Sequence, residues 1–85
     1  MSASVKVWFP GRLRQLRERR GWSQREAARR AGIAQPEWQR FELPEHLGGR
    51  LPRLERAEMM ARALGIALAT LLTPARDNSR KSSSS

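Results

Sequence analysis

The chain contains no cysteine and a single histidine, His46. Disulfides and thiolate metal sites are thereby excluded, and one imidazole cannot supply a metal cluster. No apolar run approaches the ~20 residues of a membrane span, and the opening MSASVKVWFPG lacks the hydrophobic stretch of a secretory signal. A cytoplasmic protein without membrane association is the expectation. There is no internal repeat, no glycine-rich phosphate loop, and no grouping of nucleophile, base and orienting residue. No catalytic residue, cofactor or metal is therefore assigned, and an enzyme is not expected. Acids are scarce as well: eight Asp and Glu stand against seventeen Lys and Arg, a formal charge of +9.

That charge points to a polyanionic partner, although a solvated arginine-rich surface would give the same composition. Fifteen of the seventeen basic residues are Arg, whose planar fork suits paired contacts to phosphate or guanine. Eighty-five residues make one small domain with little stability to spare, so an apolar core must hold it, with pairing to a second copy as the available reinforcement.

Three regions follow from the pattern. Residues 1–9 form an N-terminal arm, in which Val5, Val7 and Phe9 alternate with Lys6 and Trp8 as in a strand or extended segment. So short a strand needs a partner strand, either its own or a second subunit's. Residues 10–74 carry the helical domain, and residues 75–85, ARDNSRKSSSS, read as a disordered tail.

Within the domain the apolar period becomes helical. Pro10 suits a first helical position, and the pattern through Leu13 and Leu16 gives helix one over about 10–20, ended by Gly21. Ser23 and Glu26 are spaced as a capping box that opens helix two, with Ala27, Ala28 and Ala31 on its inner face and Gly32 closing it. Helix three runs from Gln35 to about Glu42, with Pro36 in a first turn whose amides lack intrahelical acceptors. LPEHLGGRLP, 43–52, is a loop; helix four extends from about Leu54 to Gly65, and a short helix five spans 67–72.

Two short helices joined by a three-residue turn containing a glycine form a helix-turn-helix, whose second helix can enter the major groove. Trp38 and Phe41 lie three apart and should pack on the alanine face of helix two, turning Gln35, Glu37, Gln39 and Arg40 elsewhere.

The run LRQLRERRGWSQREAARRAGIA, followed by WQRFE and by PRLERAEMMARALGIALATLL, resembles the lambda-repressor-like helix-turn-helix family, also called the XRE family. The resemblance covers residues 12–72. It implies an all-α, five-helix DNA-binding bundle, here with a short extended N-terminal arm, that regulates transcription as a sequence-specific, commonly dimeric binder of double-stranded DNA, most often a repressor. An antitoxin or partner-binding module of a toxin-antitoxin or regulatory complex is the alternative.

The resemblance also distributes roles. Gln35, Pro36, Gln39 and Arg40 are expected to contact bases: a Gln can pair with adenine N6 and N7, Arg40 with guanine O6 and N7, and Pro36 with a thymine methyl. Gln24, Arg25, Arg50 and Arg53 are expected on phosphates, Gln24 also bracing the next helix. Arg17 and Glu42 match a partly buried structural salt bridge. Glu37 is suited to accept from cytosine N4, or to repel phosphate and sit near a helix N-terminus. Arg29 and Arg30 read as a solvated face and His46 as a loop residue.

The sequence departs from the family at Ala34, where Ser or Thr usually caps helix three; at Trp22 and Trp38 with Ala27, read as an exchange of volume within one core; and in a longer 43–51 loop. Val5, Val7 and Trp8, or Leu68, Leu71 and Leu72, are the exposed candidates for a dimer contact.

Overall fold

The computed structural model describes residues 3–74. Five α-helices follow in order: α1 Pro10–Arg19, α2 Gln24–Ala31, α3 Gln35–Phe41, α4 Leu54–Leu64 and α5 Leu68–Leu71. The helical boundaries fall within a residue or two of those read from the pattern, and the 43–52 loop holds one 3₁₀ turn, Glu45–Leu47. The segment 75–85 expected as a disordered tail lies outside the described residues.

Each boundary has a local cause. Pro10 sits in the first turn of α1, where a missing N–H costs nothing. At α2 the Ser23 hydroxyl accepts from the Glu26 amide at 3.0 Å. The Glu26 carboxylate is engaged by Arg29 and Arg30 at 2.6 Å each, so its oxygens serve the exposed face of the helix. Gly32 ends α2 in the left-handed region, φ 75°, and the Ile33 amide reaches back to the Ala28 carbonyl at 2.9 Å. That is the hydrogen-bond pattern of a Schellman stop, and it sets the angle at which the chain leaves for α3.

α2 packs on both α3 and α4, and α5 packs on α4. Ala27 and Ala28 are buried, and their small side chains leave room for the rings of Trp38 and Phe41, 0% and 1% exposed. Leu13, Met60, Leu64 and Leu71 complete the center of the core. Burying a side chain of this size is worth ~1.5–3 kcal/mol, so Trp38 and Phe41 carry a large share of what holds α3 in place. Trp22 does not share that interior: it is half-buried at the rim, with the guanidinium of Arg30 4.6 Å from its ring centroid and that of Arg20 at 5.5 Å. Of the two tryptophans expected to share one core with Ala27, only Trp38 is inside it, and Trp22 covers the core edge under two cations.

The arm finds its partner within its own chain. Ser4 bridges Arg53 in antiparallel fashion, the Val5 amide donates to the Pro52 carbonyl at 3.0 Å, and the Leu54 amide donates to Ala3 at 2.6 Å. Val5 is buried, and Trp8 is half-buried, its indole N–H donating to the Phe41 carbonyl at 2.9 Å while its ring meets Phe41 edge-on at 6.4 Å. Leu71 is buried and Leu68 and Leu72 are half-buried against the core. Among the residues put forward for a dimer contact only Val7 stands exposed, because the arm docks on its own domain and α5 turns its leucines inward.

Candidate nucleic-acid interface

The geometry of α3 starts at its end. Glu42, the residue that closes the helix, has a side chain only 4% exposed, and its carboxylate gathers four hydrogen bonds. Arg17 from α1 grips it with both prongs, Nε to Oε2 at 2.6 Å and Nη2 to Oε1 at 3.0 Å. Trp38 Nε1 donates to Oε2 at 2.6 Å, and Gln24 Nε2, from the start of α2, to Oε1 at 3.0 Å. Arg17 then uses Nη1 to reach the Trp22 carbonyl at 2.8 Å. One buried carboxylate thus ties α1, the α1–α2 turn, α2 and α3 together. Burial pushes the Glu42 carboxyl up, but the donors from Arg17, Trp38 and Gln24 outweigh it and hold it below its ordinary range. The same hydrogen bonding, donated by Arg17 to Glu42, raises the Arg17 guanidinium above its ordinary value, against the opposing effect of burial.

With one face of α3 fixed in this way, the other is forced outward. Gln35, Pro36, Gln39 and Arg40 are all exposed, while Trp38 and Phe41 are in the interior. Ala34 offers no side-chain cap; its carbonyl accepts the Glu37 and Trp38 amides at 3.0 Å each. The first turn of α3 therefore projects no hydroxyl and presents the Gln35 amide and the Pro36 ring.

Pro36, Gln39 and Arg40 line an open groove with Gln24 on one side and Leu43, Leu47 and Arg50 on the other. Arg25 is exposed on the first turn of α2. Arg50 and Arg53 border a second concave surface with Ser4, Glu37 and Arg56. Gln24, Pro36, Gln39, Arg40 and Arg50 thus share one groove, and Arg50 also borders the surface that holds Arg53; Gln35 and Arg25 are exposed but line neither.

Two features of this surface were not read from the sequence. Glu37 pairs with Arg56 of α4 through Oε2 and Nε at 3.1 Å, so the one acid in the exposed part of α3 is drawn to the α4 flank. Arg56 belongs to a run of helix-forming residues with no local sign of its partner, and only the tertiary fold, with α3 and α4 both held by α2, brings the two side chains together. The second is the frame of the 43–50 loop. Leu47 and Gly49 donate from their amides to the Pro44 carbonyl at 2.9 and 3.0 Å, and Arg50 donates to the Arg40 carbonyl at 3.2 Å. A Cβ on Gly49 would lie 1.8 Å from the Leu43 carbonyl oxygen, so only glycine lets the backbone close here. The GG pair was a visible signal of a turn, but not of which turn.

Arg29 and Arg30 pair with Glu26 on the exposed face of α2, and His46 lies exposed in the 3₁₀ turn. Among the described residues no group of three or more His, Cys, Asp or Glu is arranged to hold a metal ion, and no helix is long and apolar enough to cross a membrane.

Comparison with known proteins agrees with this geometry. A crystal structure of a hypothetical transcription factor, NHTF, from Neisseria superposes with a TM-score of 0.63 at 25% sequence identity, over 99% of this chain and 97% of that one. A comparison with curated proteins gives no match. The helix-turn-helix domain family matches residues 8–80, nearly the whole chain, and with α2, the Gly32 turn and α3 in the arrangement described, the chain belongs to the helix-turn-helix domain family.

Proposed function

We propose that the protein is a sequence-specific double-stranded DNA-binding regulator of transcription, a repressor of the lambda-repressor-like type, acting as a homodimer with α3 in the major groove. The observation that carries this reading is the division of α3: two rings buried against α2, and Gln35, Pro36, Gln39 and Arg40 exposed on the opposite side. Amide and guanidinium groups so presented match the base edges of the major groove, the amide to adenine and the guanidinium to guanine. Gln24, Arg25, Arg50 and Arg53 flank them where a duplex in that groove would bring its phosphates, and the charge of +9 supplies the long-range attraction. The family match and the likeness to NHTF support the same reading.

A binding module of this kind works by occupying an operator, so no chemistry is required of the side chains. Selection of bound sequences from a random duplex pool tests the proposal, because it reports preference, symmetry and half-site spacing together. A palindromic consensus with half-sites about 10 base pairs apart, center to center, is expected. Recovery of no enriched sequence at any salt concentration would remove the claim of specificity.

A further inference from the structure

We infer that Leu47, on the 3₁₀ turn between α3 and α4, reads the 5-methyl group of a thymine beside the base edges met by α3. The inference rests on the DNA-binding reading and adds to it a specificity residue outside the helix. Among the described residues Leu47 is the most exposed of the large apolar side chains, at 59%. A lone surface leucine needs no explanation in itself. This one lines the same groove as Pro36, Gln39 and Arg40 of α3, and it is more exposed than Leu43, the other leucine of that groove.

Backbone bonds, not burial, fix its position. The Leu47 and Gly49 amides both donate to the Pro44 carbonyl, at 2.9 and 3.0 Å, and the Arg50 amide ties the end of the loop to the Arg40 carbonyl at 3.2 Å. Gly48 closes the turn in the left-handed region, φ 95°, and a Cβ at Gly49 would strike the Leu43 carbonyl. Tucking Leu47 into the domain would break that frame. The side chain is therefore held in solvent beside α3 until a ligand covers it.

The chemistry of a duplex limits what that ligand surface can be. Phosphates suit Arg50, which lines the same groove, and offer nothing to an isobutyl group. In the major groove adenine, guanine and cytosine present hydrogen-bonding groups, whereas thymine adds a methyl group to its acceptor. Leucine laid over a donor or acceptor leaves it unpaired, which costs free energy; laid over a methyl group it removes apolar surface from water on both sides. With the amide of Gln39 suited to adenine and the guanidinium of Arg40 to guanine, Leu47 supplies the groove with the chemistry for thymine. Deoxyribose carbons are the other apolar surface of a duplex, but they are the same at every base pair, so sequence tells the two apart.

The test replaces, one at a time, each thymine in one half-site of the selected consensus with deoxyuridine, which removes the methyl and keeps every hydrogen-bonding group. For the wild-type chain one such replacement should weaken binding roughly threefold to tenfold. Leu47→Ala should bind the unmodified consensus more weakly by a similar factor and be indifferent to that replacement. Leu47→Met should keep the sensitivity, and Leu47→Gln should lose it. Helical circular dichroism should be unchanged in all three, because the bonds of the turn are made by backbone. Indifference of the wild type to every deoxyuridine, or full sensitivity retained in Leu47→Ala, overturns the inference and leaves the DNA reading standing. A loss from Leu47→Ala that is equal on consensus and scrambled duplexes also overturns it, placing the leucine on deoxyribose. If no consensus can be selected at all, the specificity reading itself fails and takes this inference with it.

Discussion

Trp38 Nε1 donates to Glu42 Oε2 at 2.6 Å, the same oxygen that receives Nε of Arg17 at 2.6 Å. The indole is therefore at once a core side chain and a hydrogen-bond donor to the buried carboxylate that closes α3. Trp38→Phe separates these roles, keeping most of the ring volume and removing the donor. A bond to a charged group contributes ~1.5–3 kcal/mol, and a loss in that range is expected in urea unfolding. Trp38→Ala should cost more, ~3–5 kcal/mol, because it also leaves a cavity. Equal stability of wild type and Trp38→Phe would show that the donor adds nothing to the Arg17 fork.

Acid should unfold the domain through Glu42. Its carboxyl titrates below the ordinary 4.5, because the donors from Arg17, Trp38 and Gln24 outweigh burial. A depressed folded value means stability that is fully present above about pH 4.5 and is lost as the pH falls through the lower folded value. Glu26 is also lowered, to about 2, by Arg29 and Arg30, but that cluster is exposed and solvent-screened and should contribute little to the slope. Glu42→Gln should flatten the acid limb of urea stability measured against pH. At neutral pH it should also lower stability, by up to ~3–5 kcal/mol, since Arg17, 12% exposed, is left with only the 4.0 Å contact to the exposed Glu18 as counter-charge. An unchanged acid limb in the variant would assign the transition to another group.

The fold was legible because its punctuation is strong. Pro10, Ser23 with Glu26, Gly32, Pro36 and Gly65 each mark a helix end for a local backbone reason, and the 3.6-residue period supplied the rest. The inward turn of Trp38 and Phe41 was readable from their spacing of three beside an alanine-rich helix. What resisted reading depended on contacts between segments distant in sequence. The arm's alternation signals extended backbone but not that residues 52–54 receive it, and that docking buries Val5 and half-buries Trp8. Periodicity in α5 identified apolar positions without saying which side would be covered. The Glu37–Arg56 pair spans nineteen residues and leaves no mark in either local pattern.

The division of roles on the proposed DNA face predicts different mutational signatures. Gln35→Ala and Arg40→Ala should each relax preference at particular base pairs, with ~1–3 kcal/mol lost on the preferred site and less on others. Arg25→Ala and Arg53→Ala should weaken all duplexes alike and lower the salt slope by about one unit each. Gln24→Ala should also act uniformly, with a small loss of fold stability because its amide is bonded to Glu42. Binding titrations on consensus and scrambled duplexes over a salt series distinguish these patterns. Loss of preference from Arg53→Ala, or a uniform loss from Gln35→Ala, would reverse the assignment.

Glu37 is the point at which this face meets its own charge problem. In the proposed complex a carboxylate on the first turn of α3 would face phosphate repulsion, and the 3.1 Å pair with Arg56 both neutralizes it and holds it toward α4. Both side chains are partly exposed, so the pair should add no more than ~1 kcal/mol to stability, and its effect should appear in binding. Arg56→Gln is expected to weaken operator affinity beyond the loss of one positive charge, because it also releases Glu37. In Glu37→Gln that penalty should vanish, so the double variant should bind more tightly than Arg56→Gln alone. A double-mutant cycle on dissociation constants should give a coupling of ~0.5–3 kcal/mol. Strict additivity would mean that Arg56 acts on DNA by itself and that Glu37 lies outside the field of the phosphates.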